Sequence, residues 1–506
     1  MQLTETVTAS LPPQAIQYIS KLENEIEILK EQLNLLLQQR FGKSSERYNN
    51  NQQALFAPEE IPADTNDAEI ETTEVKSHTR KKAGRKAIDP NIERREKIID
   101  ISEEEKQCAC GHKLDRIGEE TSEKLEIIPQ SVYVTKTIRP KYACRHCEGT
   151  ADEDKPAVRI APVPPCIIPR SIASASLLSY IMIQKYQDHL PFHRQETQFQ
   201  RIGVEISRQD MSNWQQHIYF FLTPLFTKLR EVIKTGSVMQ MDETTSQVMG
   251  EKDREDTQNS YIWLSRGGPP DKTVVIYDYR ETRAGYNAIE LLKGFCGYLQ
   301  TDGYEGYDVA VRELPGIIHV GCLAHSRRRF FEAAKAAKKP QSAEEGLKFI
   351  RKLYEIEKTL RDKKLEDNEF VIKRKELANP VLSDFHKWLN KRANEVLPSC
   401  LLGKAVAYTL KQWDKLIRYL ESPYLTPDNN ASERSIRPYV VGRKNHLFNK
   451  SPDGARSSCG MYTLIETAKQ NGVEPSKYLL ELFERAPFAV STEDWEKLLP
   501  WNISKS

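Results

Sequence analysis

The stretch VMQMDETT, residues 238–245, carries an apolar run straight into two carboxylates. Val238, Met239 and Met241 read as a strand heading into a core, and Asp242 and Glu243 arrive at its end. A bare carboxylate is costly to bury unless something positive meets it. The position of Asp242 therefore asks for a cation.

Working outward, the pattern after Gly236 is one of alternating or continuous apolar runs. SVMQMD (237–242), SYIWLS (260–265), KTVVIYDY (272–279), GYLQTD (297–302) and IIHVGCLA (317–324) read as five strands. AGYNAIELLKGF (284–295) reads as a helix between the third and fourth. Three strands, a helix and further strands is the order of an α/β ribonuclease-H-like core. Asp302 ends the fourth strand, with Gly303 next. Open α/β sheets place ligands at the carboxyl ends of their strands. If the first and fourth strands are neighbours, Asp242 and Asp302 lie within reach of one cation. Alone, two such carboxylates would repel and one pKa would rise; a divalent metal removes that conflict.

A third acid comes from PDNNASERSIRPYVVGRKNHLF (427–448). Asn430 and Glu433 have the spacing of a capping box at a helix start. Glu433 therefore reads either as a cap or as a metal ligand, and Asp428 is its rival for the ligand role. Pro438 is expected to end or kink the helix. Arg434, Arg437, Arg443 and Lys444 form a basic cluster suited to phosphates. In HVGCLAHSRRRFFEA (319–333), Cys322 reads as a buried strand residue, with His319, Cys322 and His325 as a rival metal triplet. Arg327, Arg328 and Arg329 meet phosphates or face water. Asp278, Glu243 and Asp308 read as surface or capping groups.

The chain has 506 residues, 39% hydrophobic and 29% charged, which suits several soluble units joined by polar linkers. It has neither an apolar run of about 18 residues nor a secretory-type start, so a membrane protein is not expected and a reducing cytoplasm is. Net charge is only +2, but acids crowd 59–74 and bases crowd 80–86. In KKAGRKAIDP (81–90), Arg85 and Lys86 suit a DNA minor groove or a solvated linker.

Ile19, Leu22, Ile26, Leu29, Leu33 and Leu36 alternate spacings of three and four, a heptad seam for self-association or for packing on the chain's own body. Cys108, Cys110, Cys144 and Cys147 form two close pairs suited to one structural zinc, with His112 and His146 as rival ligands. VYVTKTIRPKYAC (132–144) alternates like a strand leading into the second pair, and AVRIAPVPPCIIPR (157–170) reads as a Pro-rich connector. FHRQETQFQRIG (192–203) and the stretch from Ser207 to Ile233 outline a helix-turn-helix, either DNA-reading or scaffold. From 326 to 421 the periodicity is helical, with Leu347, Ile350, Leu353, Tyr354 and Leu360 on one face and Val406, Leu410, Trp413 and Leu416 on another.

MDET, TDGYEGY, GCLAHSRRRF, NNASERSIRPYVVGRKNHLF and TLIETAKQNGVEPSKYL together resemble the transposases of the insertion-sequence-66 family, TnpC type. The likeness runs through nearly the whole chain, including the heptad helix, the cysteine pairs and KYQDHLPFHRQE (185–196). It implies a DDE transposase with a ribonuclease-H-like core and the triad Asp242, Asp302 and Glu433 holding Mg²⁺ or Mn²⁺. It likewise implies the zinc-binding domain and the leucine-zipper-like start. Expected partners are element-end and target DNA, a second copy or more of the chain, and small accessory proteins; the expected location is the bacterial cytoplasm, at the nucleoid when DNA is bound. The alternatives are a catalytically silent DNA-binding repressor and a ribonuclease-H-like nuclease without strand transfer. The expected units are a heptad helix (1–41), a charged, largely disordered linker (42–94), a zinc-binding domain (95–156) and a helical domain (157–235). There follow the first part of the core (236–335), an all-helical insertion (336–426), the Glu-bearing helix of the core (427–470) and a tail (471–506).

Overall fold

The structure, a computed structural model, describes residues 12–41, 131–143, 158–337 and 340–503. These fall into two units, one holding 12–41 and 164–503, the other 131–143 and 158–163. Arg85, Lys86 and the quartet Cys108, Cys110, Cys144 and Cys147 lie outside the described residues, as do His112, His146 and the linker. Among the described residues, no helix is long and apolar enough to cross a membrane.

The first helix, α1 (Pro13–Phe41), belongs to the larger unit. In the smaller unit, β1 (Lys141–Ala143) pairs antiparallel with β2 (Val158–Ile160). The strand expected over 132–144 is thus only three residues long in its described part, and 131–140 has no regular structure. The Pro-rich connector, conversely, opens with a strand, because its Val158–Ile160 segment precedes the first proline and is free to pair.

The larger unit continues with α2 (Ala175–Tyr186), α3 (Phe192–Arg201), α4 (Arg208–Phe221) and α5 (Thr223–Ile233). Gly203, at φ +77°, supplies the left-handed turn after α3. Ser207 and Asp210 form a capping box at the start of α4. Pro224 splits α5 from α4, since a proline sits comfortably only in a helix's first turn.

The sheet follows: β3 (Val238–Val248), β4 (Asn259–Gly267), β5 (Val274–Arg280), α6 (Gly285–Leu292), β6 (Gly297–Gln300), α7 (Glu305–Glu313) and β7 (Ile317–Val320). Its order is β5-β4-β3-β6-β7. The first three strands form an antiparallel meander, and β3, β6 and β7 run parallel. β3 outruns its expected end by six residues, so Asp242 lies within the strand. The Thr-, Ser- and Gln-rich second half persists because β4 pairs with it as far as Gln247.

Four helices come next: α8 (Leu323–Ala336), α9 (Gln341–Asp362), α10 (Asp367–Glu395) and α11 (Leu401–Lys411). A short α12 (Trp413–Leu416) and a 3₁₀ turn (Ile417–Glu421) close this block. Both stripes expected there face inward: Ile350, Leu353, Leu360, Val406 and Leu416 are buried, and Leu347, Tyr354, Leu410 and Trp413 pack against them. Arg374 is buried within the block. It donates to the carbonyls of Tyr419 (2.6 Å), Ser422 (2.8 Å) and Leu425 (3.1 Å) and to Glu357 Oε1 (2.8 Å).

The chain then returns to the sheet with α13 (Asn430–His446), β8 (Phe448–Asn449) and α14 (Pro452–Gln470), and ends in α15 (Pro475–Arg485) and α16 (Thr492–Lys497). α14 covers the free edge of β5. Tyr277 N and Val275 N donate to the hydroxyls of Thr463 (3.0 Å) and Thr467 (3.1 Å). An exposed row of strand amides would otherwise invite pairing with another chain.

The heptad seam of α1 remains exposed at Leu22, Ile26, Leu29, Leu33 and Leu36. A different face of the helix touches the body: Glu31 Oε2 accepts from Leu401 N at 3.3 Å, the first amide of α11. Packing on the chain's own body thus uses other positions and leaves the seam uncovered.

Candidate active site

Parallel pairing of β3 with β6 brings two aspartates side by side. Gln240 aligns with Gln300, and their side chains bond at 2.9 Å. Two residues further on, Asp242 stands within β3 and Asp302 in the turn that follows β6. Beyond Gln240, β3 has lost β6 as a neighbour, and α13 takes over that edge. Asn429 Nδ2 donates to Met241 O at 2.9 Å. Arg443 bonds Thr245 through its carbonyl and, at 3.0 Å, its hydroxyl. β8 then pairs with Gln247 and Val248.

This docking brings the charge of Glu433 to bear on Asp242. Asn430 is not the cap of α13; Asn429 holds that place and spends its side-chain amide on β3. The Asn430–Glu433 capping box is therefore absent, and Glu433 sits a residue past the capping position. Pro438 does not end the helix, which runs on to His446. Glu433 lies 4.0 Å from His325 Nε2 and 4.0 Å from an Arg328 guanidinium nitrogen. Asp428 is turned elsewhere, accepting from Tyr354 OH at 2.7 Å and from Asn430 N at 3.1 Å.

Burial pushes the Asp242 pKa well above the usual aspartate range, and the nearby charges of Glu243, Glu433 and Asp302 push it further. A carboxyl whose folded pKa is raised stabilises the fold fully below the unfolded value, about 3.9, and that contribution disappears as pH rises through the folded value. In buffer without added divalent cation, Asp242→Asn is accordingly expected to be more stable than the parent at pH 8. The gap should close toward pH 4, and Mg²⁺ should stabilise only the parent. Thermal melts across pH check all three.

Glu243 is not a surface group but buried. Burial raises its pKa, while Tyr307 and Arg283, both bonded to it, oppose that shift. Arg283 also stacks on the Tyr304 ring at 3.8 Å and reaches Asp302 Oδ2 at 3.9 Å. Asp278 is buried too, in a two-pronged pair with Arg230 at 3.0 and 2.5 Å. Asp308 bonds His319 Nδ1 (2.8 Å) and Lys415 (2.6 Å), which hold its pKa far below the usual range. His319 Nε2 in turn meets Thr301 Oγ1 at 2.8 Å, beside Asp302.

Cys322 is buried as expected, but at the cap of α8 rather than in the strand, because β7 ends at Val320. The triplet with His319 does not form, since His319 is held by Thr301 and Asp308. The helical block adds Tyr408 from α11: a Cβ at Gly303 would come within 2.8 Å of its hydroxyl, so a larger residue in the turn after Asp302 would have to push that ring aside. Arg329 stacks on the same ring at 4.2 Å. Neither Arg283 nor Tyr408 stands in any motif, so only the fold reveals them.

Among the basic candidates, Arg328, Arg434, Arg437 and Lys444 are exposed, whereas Arg327 and Arg443 are half-buried. Arg443 braces α13 against β3 through Thr245 and is not an open phosphate contact.

Residues 170–457 match the model of the transposase IS66 family. Residues 105–148, spanning all four cysteines of the quartet, match the zinc-finger binding domain of transposase IS66. Residues 28–96 match transposase C of IS166 homeodomain, and 463–501 match the IS66 C-terminal element. Three proteins of Sinorhizobium fredii, each described as uncharacterized, are similar along their length. y4qI is 30% identical over 96% of this chain and 91% of its own. y4hP is 30% identical over 96% and 89%, and y4jD 31% identical over 79% of each chain. With one family model covering more than half its length, the chain belongs to the IS66 transposase family.

Proposed function

We propose that this protein cuts the ends of an insertion sequence and joins the freed 3′-hydroxyls to target DNA, with Asp242, Asp302 and Glu433 as a DDE triad on a ribonuclease-H-like core. What supports this reading is that the charges of Glu433, from α13, and of Asp302, from the turn after β6, both bear on the half-buried Asp242 of β3. The meander followed by parallel strands supports the fold assignment.

The donor set fits Mg²⁺ or Mn²⁺, which take carboxylate oxygens. Asp242, Asp302 and Glu433 would hold the cations, which when bound activate water and stabilise the leaving oxygen of a phosphoryl displacement. The chain's own residues then have separable tasks. Arg283 neutralises Glu243 and steadies the flank of Asp302. Arg328, exposed beside Glu433, is placed to meet a phosphate. Asn429 and Arg443 fix α13 on β3 and so fix where Glu433 stands. One phosphodiester is exchanged for another, so neither ATP nor a protein nucleophile is required.

The quartet Cys108, Cys110, Cys144 and Cys147 supplies four thiolates, a closed structural zinc site. About one tightly held zinc per chain is expected in purified protein, and metal analysis finding none would remove that claim. The seam of α1, exposed in the folded chain, supports self-association, and sedimentation of the parent beside a Leu29→Lys, Leu33→Lys variant tests it. Element-end and target DNA are the expected partners, with accessory proteins of the same element, and the bacterial cytoplasm the expected place. A strand-transfer assay with Mg²⁺ or Mn²⁺ on candidate element-end DNA tests the activity itself. A silent DNA-binding descendant would bind the ends and join nothing.

A further inference from the structure

Cys322 caps α8 and His325 stands three residues on, the pair of positions whose side chains meet at a helix start. Docking of α13 adds Glu433. A sulfur, a ring nitrogen and a carboxylate oxygen of these three residues all lie within 4.8 Å of one another. Cys322 forms the buried floor, while the side chains of His325 and Glu433 retain 26% and 27% exposure, which leaves a way in from solvent.

Two further features belong to a ligand site rather than to a packed core. Asn429 N donates to Cys322 Sγ at 3.2 Å, as backbone amides commonly do for metal-bound thiolates. His325 Nδ1 and Asn429 Oδ1 are buried with no hydrogen-bond partner among the described residues. Buried polar atoms are rarely left so, and bound water or an ion is the usual remedy.

We propose that Cys322, His325 and Glu433 form a site for a borderline-soft divalent cation of the Zn²⁺ class, distinct in ligand chemistry from the all-carboxylate site beside it. Sulfur, nitrogen and one oxygen suit Zn²⁺ or Co²⁺ and not Mg²⁺. Three protein ligands leave one position open. On binding, Cys322 releases its proton to water as the sulfur–metal bond forms. The consequence rests on the DDE reading: an ion held here withdraws Glu433 from Asp242 and Asp302, so zinc inhibits the Mg²⁺ reaction.

The test uses full-length protein carrying its zinc-finger zinc, with Co²⁺ and Zn²⁺ as probes. The parent is expected to take up one equivalent of Zn²⁺ more per chain than Cys322→Ser or His325→Ala. With Co²⁺ it should show a thiolate-to-cobalt absorption band that Cys322→Ser lacks. Asp242→Asn should keep both signals. Zinc inhibition of DNA cleavage should need at least tenfold more Zn²⁺ in Cys322→Ser. Should Cys322→Ser fail to fold, His325→Ala carries the comparison. Equal uptake and equal spectra in parent and variants overturn the proposal. A parent that cleaves DNA with Mg²⁺ but binds no extra ion sinks this site alone. A parent that binds the extra ion but never cleaves DNA supports the site and sinks the DDE reading.

Discussion

Asp242→Asn is expected to slow Mg²⁺-dependent cleavage of element-end DNA about a thousandfold or more, ~4 kcal/mol in the barrier. Asparagine keeps the size and one oxygen of the side chain but removes the charge that would hold a cation. Binding of the same DNA should stay within a few-fold, because the substitution takes away a negative charge and leaves every cationic side chain that could meet a phosphate. Cleavage kinetics beside fluorescence anisotropy separate the two effects. Undiminished Mg²⁺-dependent cutting by this variant would remove Asp242 from the chemistry.

Arg374→Ala is expected to destabilise the protein by about 3–5 kcal/mol, the usual result of breaking a buried ion pair by removing one partner. It leaves Glu357 buried with less compensation and deprives three carbonyls of their donor. The damage should reach the active site. Leu425 O is held by Arg374 and Arg361, Thr426 O by Gln300, and Pro427 O accepts from Leu323 N. These bonds hold the segment that delivers Glu433. Denaturant unfolding should show the loss of stability, and cleavage should fall even where the variant remains folded. An unchanged denaturation midpoint would contradict this account of the helical block.

The sheet was largely legible because its strands are apolar or alternate, and because Gly303 marks the turn after Asp302. Its limits follow from long-range pairing. The polar half of β3 is a strand only because β4 lies beside it. Asp278 looked like a surface acid because its partner, Arg230, lies 48 residues away. Glu433 read locally as a cap, and nothing in its own segment shows that Asn429 reaches across to Met241. Resemblance, not spacing, singled it out. Arg283 and Tyr408 carry no local signal at all, because each acts through a neighbour that only folding supplies.

The most direct test of the central claim compares Glu433→Gln with Asp428→Asn in the Mg²⁺-dependent cleavage assay. The two acids are five residues apart, and both stood as candidates for the third ligand. Glu433→Gln should fall to background, while Asp428→Asn, whose carboxylate bonds Tyr354 and Asn430, should keep activity within about tenfold of the parent. Robust cleavage by Glu433→Gln together with an inactive but folded Asp428→Asn would contradict the proposed triad.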